Sequence, residues 1–474
     1  MITQELANFI VSLKFEDIPE SAVEKAKICF LDFLGVSLRG SFTKSSQIAL
    51  KVISDLNSFN LNMGDSTIIG NGKFSSMEAS FLNGISAHSL DLDDGHRLAQ
   101  LHPGCTVIPV ALALGEHLDK MGDDFITALV AGYEVAIVLG KIINPRHRNR
   151  GFHSTGTIGA FGATAAAVKI LDLNEDEISN AFGLAGTQSA GLLESDHAGT
   201  MGKHIHAGKA SQCGILSALL SQNGFTGPSS ILEGEEGFFN ALCGMNLNAD
   251  GFDELKHELF LDLGKFHIND VYLKRYPVCR HLHSTIDSAR KIFNEINLKN
   301  LELNQIDKIT VKTYKIAAEH DNYDPQTPEA VRQSLPASLA IAILKGDINL
   351  DYMMNGSEIN SSMREIIDKI SIEIDEEFDA LQPDKRPAKV IIEFKDSLNT
   401  WDSKNTKSQK PYYLEKTTLL PQGEPENPFK KEDIIKKFSL LNPEFNDKNF
   451  FNLKEMIFKI ESFKVRELMD CFNF

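Results

Sequence analysis

The chain has 474 residues, 42% of them hydrophobic, with 65 Asp plus Glu against 48 Lys plus Arg and a formal net charge of -17. This length predicts a large core and two domains rather than one. The acidity argues against general affinity for nucleic acid or an anionic membrane, so the positive field for any anionic ligand must be local.

The start, Met1 to Leu6, lacks a basic segment followed by an apolar stretch and does not read as a secretory signal. Six scattered cysteines (Cys29, Cys105, Cys213, Cys243, Cys279, Cys471) form no C-x-x-C pair. That disfavours a disulfide framework, a structural zinc site or an iron–sulfur cluster, and reduced thiols in a cytoplasmic setting are expected. From residue 1 to about 267 the helical period dominates and no alternating strand pattern is visible. Residues 20–38 form a dense apolar stripe, and Ser75-Ser76-Met77-Glu78 reads as a capping box ahead of another helix. The longest apolar run, Phe125 to Ile143, contains Glu134 and Lys141 and predicts a buried core helix rather than a membrane span. After His267 the pattern changes. Ile306 to Tyr314, Ile370 to Ile374 and Lys389 to Phe394 alternate at period two, while Thr327 to Leu344 predicts a helix containing Pro336. Residues 402–428 read as a polar loop, with the lysine-rich 404–410 region solvated. Lys430 to Lys437 and Leu453 to Cys471 return to helical spacing. The expected fold class is mainly α: a large helical domain built from both chain ends (1–267 and 406–474) with a smaller α+β domain (268–405).

Four segments concentrate the residues that do chemistry. Asp91-Leu92-Asp93-Asp94-Gly95-His96-Arg97, followed by His102-Pro103-Gly104, places carboxylates and imidazoles between two apolar helices. A carboxylate orients a His, and a His passes protons near neutral pH. A solvated loop with N-capping Asp residues, or a divalent-metal site, would use the same residue types; no His pair has the i, i+4 spacing of a zinc helix. The second segment, Arg146 to Gly156, brings His153 to Ser154 and Thr155, residues able to cap a helix whose N-terminus favours anions. Gly156, Gly159 and Gly162 follow no strand, so close helix packing explains them better than a dinucleotide motif. The third, Gly202 to Lys209, holds Lys203, His204, His206 and Lys209, a local cationic site in an acidic chain. The fourth, Lys274-Arg275-Tyr276-Pro277-Val278-Cys279-Arg280-His281, lies where the helical half gives way to the α+β half, and its Lys and Arg could clamp carboxylates.

In content and order these segments resemble the MmgE/PrpD family almost end to end. Phe182 to Gly191, Gly224-Phe225-Thr226-Gly227-Pro228, Ser334-Leu335-Pro336 and Gly423-Glu424-Pro425-Glu426-Asn427-Pro428 add to the likeness. The resemblance implies an all-α domain with an α+β lid, a homodimer, no metal or other cofactor, and a small polycarboxylate substrate. It implies one of three activities: 2-methylcitrate dehydratase, iminodisuccinate epimerase or cis-aconitate decarboxylase. Position by position, it places Asp91, His102, His153, Lys203 and Lys274 in catalysis, with Arg275, Tyr276, Cys279, Arg280 and His281 as substrate-binding candidates. Gly95 stands where the decarboxylase pattern has a Thr, and Cys279 where it has a His, so the dehydratase is the first expectation, the epimerase the second and the decarboxylase the last of the three. The expected chemistry is removal of a proton α to a carboxylate, with cations placed where negative charge develops.

Overall fold

The longest apolar run becomes the helix Gly122–Ile143, long and apolar enough to cross a membrane by composition but buried against the helices Gly104–His117 and Ser154–Ile170. The computed structural model describes residues 1–57, 64–245, 249–348, 350, 353, 359–395 and 412–472. The protein is mainly α. It divides into two units: Met1–Ser195, Met201–Leu273 and Phe429–Phe474 in the first, Asp196–Thr200 and Lys274–Pro428 in the second.

In the first unit, helix contacts are closer than side chains would permit. A methyl group on Gly159 would lie 2.8 Å from Thr106, and one on Gly162 would lie 2.7 Å from Ala136. Glu134, inside the core helix, accepts the backbone N–H groups of Gly264 (2.8 Å), Phe266 (3.2 Å) and His267 (2.6 Å), which offsets the cost of burying a carboxylate. Helix Ser76–His88 starts with the expected reciprocal cap between Ser75 and Glu78. The expectation of a strand-free helical half needs correction. Ser66–Ile68 pairs antiparallel with Gly72–Phe74, and Gly95–His96 with Val271–Tyr272. Strands of two or three residues are too short to leave a period of two in the sequence. The first hairpin is pinned by buried Glu116, which accepts from Thr67 N (2.6 Å), Thr67 Oγ1 (2.8 Å) and Lys73 Nζ (2.7 Å).

The second unit is built on a four-stranded sheet ordered Ile370–Ile374, Ile306–Thr313, Ala388–Phe394, Tyr413–Thr418, the first pair parallel and the others antiparallel. Ala388–Phe394 alternates buried and partly buried residues, so its buried side faces a core with helices His283–Leu298 and Leu335–Lys345. Three expectations change. Tyr413–Thr418 is a strand inside the segment read as a polar loop. The helix expected over Thr327 to Leu344 is two helices, Pro328–Gln333 and Leu335–Lys345, because Ser334 caps the second and Pro336 sits in its first turn, where a missing N–H costs nothing. The helix expected over Leu453 to Cys471 is likewise broken, into Asp447–Phe458 and Val465–Met469. The 404–410 region lies outside the described residues.

Glu424, fully buried in the second unit, holds Arg280 Nε at 3.1 Å and Arg386 at 3.4 Å on one carboxylate oxygen. Removing the carboxylate would take away the anion that both buried guanidiniums face. Glu424→Ala is therefore expected to cost about 3–5 kcal/mol, read as a lowered urea midpoint of the second unit; an unchanged midpoint would refute this account.

Candidate active site

Helix Ser76–His88 ends at a histidine, and the chain then runs through the Asp-rich segment to helix Gly104–His117. Along this connection Asp91, Asp93, Asp94 and His96 are all buried. Asp91 takes a φ of 52°, in the left-handed region that Asp tolerates better than most residues. Asp93 Oδ2 lies 2.7 Å from His88 Nδ1 and 3.5 Å from His102 Nδ1. His102 Nδ1 also lies 2.5 Å from the Asp94 carbonyl oxygen. A carbonyl only accepts, so His102 carries its proton on Nδ1 and titrates at Nε2; an ionised Asp93 imposes the same tautomer on His88. His88 Nε2 is buried with no hydrogen-bond partner among the described residues.

His153 occupies the N-cap position of helix Ser154–Ile170. Ser154 and Thr155, the expected caps, lie inside the helix, and Thr155 Oγ1 accepts the backbone N–H of His102 at 3.1 Å. His153 Nδ1 is 2.9 Å from His206 Nδ1, and the His88 ring lies 5.7 Å from that of His153 and 5.1 Å from that of His102. Lys203, in the first turn of helix Gly202–Gln222, donates to Asp91 Oδ1 at 3.1 Å. The first unit thus assembles Asp91, His102, His153 and Lys203 with Asp93 and His206 of the same segments, and adds one residue not singled out from sequence, His88. A histidine five residues before Asp93 was the available signal for His88.

Burial holds His153 well below the usual imidazole range, and nearby His88, Lys203, His206 and His102 push it the same way, so it is neutral at pH 7. Burial raises Asp94 to about 7; the Tyr133 hydroxyl (2.6 Å) and the Gly104 N–H (2.9 Å) oppose the rise, and the charge of Asp93 adds to it. Burial also pushes Cys105 far above the thiol range, leaving it inert at neutral pH. Chemically, the cluster offers imidazoles for proton transfer and an ammonium for a carboxylate.

Two sets of residues have the donor types of a metal site: His88, Asp93 and His102, and His96, His267 and Asp270. In the first, the would-be ligand atoms are hydrogen-bonded to one another. In the second, His96 Nδ1 accepts the Ala99 N–H at 3.1 Å, which leaves the ring proton on Nε2. Its partner His267 lies between Asp262 (3.1 Å) and Asp270 (3.0 Å). Burial opposes the charge of His267, but Asp270, Glu134 and Asp262 outweigh it and keep it protonated above the usual range.

The remaining sequence-predicted residues belong to the second unit. Lys274 is buried. Arg275 donates to Gln422 Oε1 at 2.6 Å, and the buried Tyr276 hydroxyl donates to Asp287 at 2.5 Å. Arg280 is held by Glu424 and by the Gln422 carbonyl (3.1 Å), contacts that give it a structural task. His281 Nδ1 is 2.6 Å from the Tyr314 hydroxyl, and Cys279 Sγ is 3.5 Å from His320 Nε2.

The raised Asp94 carries a pH signature. Between about pH 4 and pH 7 the folded protein keeps a proton on Asp94 that the unfolded chain has lost, so this group makes stability fall as pH rises through that window. Asp94→Asn has no such proton to lose. The melting temperature of the variant relative to the parent should therefore climb from pH 5 to pH 8; a difference independent of pH would contradict the assignment.

Comparison with known proteins places the chain in a family. Residues 4–249 match the MmgE/PrpD N-terminal domain, and residues 276–449 match the MmgE/PrpD C-terminal domain. The chain is 27% identical to the cis-aconitate decarboxylase-like protein oryM of Aspergillus oryzae, over 85% of each chain. It is 26% identical to cis-aconitate decarboxylase of Aspergillus terreus, over 85% of this chain and 84% of that one. Against the Homo sapiens cis-aconitate decarboxylase it is 26% identical, over 92% of this chain and 87% of that one. With both domain models matched in order, the chain belongs to the MmgE/PrpD family.

Proposed function

We propose that this chain is a metal-independent lyase that moves a proton at the carbon α to a carboxylate of a small di- or tricarboxylate. The observation that supports this reading is the buried Asp93, shared by His88 and His102 beside the Lys203–Asp91 pair. The side chain of His102 is 14% exposed and that of His88 fully buried, so His102 is the imidazole that meets substrate and His88 is a positioning residue acting through Asp93. Lys203 supplies positive charge for the substrate carboxylate, and Asp91 holds it in place. Lys274 enters from the family resemblance as a second cation.

In the dehydratase reading, His102 Nε2 takes the α proton, the C–H electron pair forms the C=C bond, and the β hydroxyl leaves as water with a proton from a second acid. Asp93 then faces an imidazolium, and the attraction between the two is strong because both are shielded from solvent. Neutral His153, bonded to His206, is suited to take or pass the second proton. The names of the relatives favour a second reading, decarboxylation of cis-aconitate, in which a C–C bond breaks, carbon dioxide leaves and an imidazolium returns a proton to carbon. An epimerase would use the same groups and return the proton to the opposite face.

The deciding experiment is proton NMR in heavy water with EDTA-treated protein and 2-methylcitrate, citrate, cis-aconitate or iminodisuccinate. Collapse of the 2-methylcitrate methyl doublet to an allylic methyl singlet is expected; loss of a carboxylate from cis-aconitate would establish the second reading, and deuterium uptake without elimination the epimerase. Inactivity with all four would overturn the substrate class. His102→Asn is expected to lower kcat by about 10²–10⁴-fold, the usual contribution of a general acid or base, with the melting temperature retained. EDTA is expected to leave the rate unchanged; loss on chelation with recovery on adding a divalent ion would refute metal independence.

A further inference from the structure

The proton chemistry proposed above employs no thiol, yet the second unit aligns a cysteine with a histidine. Cys279 Sγ lies 3.5 Å from His320 Nε2, and His320 Nδ1 lies 2.9 Å from the Gln333 carbonyl oxygen. The carbonyl only accepts, so the ring proton sits on Nδ1 and the Nε2 lone pair points at the thiol. Both residues are anchored by their backbones: Cys279 N donates to Arg332 O at 2.9 Å, and His320 O accepts from Leu335 N at 2.9 Å. The His281 ring stacks on His320 at 5.8 Å and 25°, itself held by the Tyr314 hydroxyl. Nucleophile, base and orienting group thus stand in the order that activates a thiol. Cys29, Cys105, Cys213 and Cys243 are buried, whereas Cys279 is half-buried. Cys471 is also half-buried, but burial and Asp470 hold it above the usual thiol range.

We propose that Cys279 and His320 form a thiolate–imidazolium pair that makes Cys279 a covalent acceptor site for small, soft carbon electrophiles. The thiol proton passes to His320 Nε2. Sγ then attacks the electrophilic carbon, the S–C bond forms as the bond to the leaving group breaks, and the leaving group departs with its electron pair. His320 releases its proton to solvent.

The probe is iodoacetamide at pH 7 on the full chain, with modification of each cysteine followed by peptide mass spectrometry. An ordinary thiol is only a few per cent ionised there, so Cys279 is expected to react about ten-fold faster than Cys471. His320→Gly is expected to remove that advantage, and added imidazole to restore part of it, a rescue that a purely structural histidine would not show. His320→Gln serves if the glycine variant does not fold. Cys279 reacting no faster than Cys471, or keeping its rate in the His320 variants, would overturn the proposal.

Discussion

Asp93 is a carboxylate buried in a helical core and shared by two imidazoles, and the arrangement of the surrounding site follows from that. An ion removed from water costs several kcal/mol unless hydrogen bonds and an opposite charge compensate it, so the chain around Asp93 is constrained from both sides. His88 is fixed by the end of one helix, and His102 by the connection into the next. The Asp94 carbonyl holds the His102 ring and Thr155 holds its backbone. The tautomers that leave the ring lone pair on Nε2 are thus consequences of how the carboxylate is accommodated.

The other buried carboxylates show what this arrangement is not. Glu116, Glu134 and Glu424 are satisfied by backbone N–H groups, an ammonium or guanidiniums, partners that do not change protonation near neutral pH. They tie a hairpin, a turn and two arginines into the fold. Around Asp93 the partners are imidazoles, whose two ring nitrogens can each donate or accept a hydrogen bond. Lys203 and Asp91 add a compensated ion pair, and His153 stays neutral under the combined effect of burial and neighbouring positive charge. The contrast between donor-only partners and imidazoles separates structural carboxylates from those suited to proton transfer.

The mainly α class was legible because long apolar stretches with helical spacing dominate the chain, and Ile306–Thr313, Ile370–Ile374 and Ala388–Phe394 were legible from alternation. What escaped was short or nonlocal. Two-residue strands carry no period, Ser334 converts one apparent helix into two, and Tyr413–Thr418 has too few buried positions to stand out from a polar segment. Within the site, charge density marked the segments that hold Asp91, His102, His153 and Lys203, and the family resemblance picked out those four. His88 did not, because it ends an apolar helix, and only its 2.7 Å contact with Asp93 distinguishes it from a core histidine. Arg280 read as a ligand residue because its partner Glu424 lies 144 positions away in the chain.

Gly95 shows why a family pattern has to be read together with packing. The decarboxylase pattern implied by the resemblance has a Thr there, but a side chain at 95 would collide with the Tyr272 hydroxyl, since Gly95 pairs with Tyr272 across the two short strands. Position 95 can take a side chain only if Tyr272 moves or is replaced by a smaller residue. The Tyr272 hydroxyl, reached from the opposite strand, occupies the space that a Cβ at position 95 would need. Because Gly95 directly follows Asp94, the close approach to Tyr272 sets the backbone path where the Asp-rich segment enters the short strand pair, and with it the placement of the carboxylates that precede it.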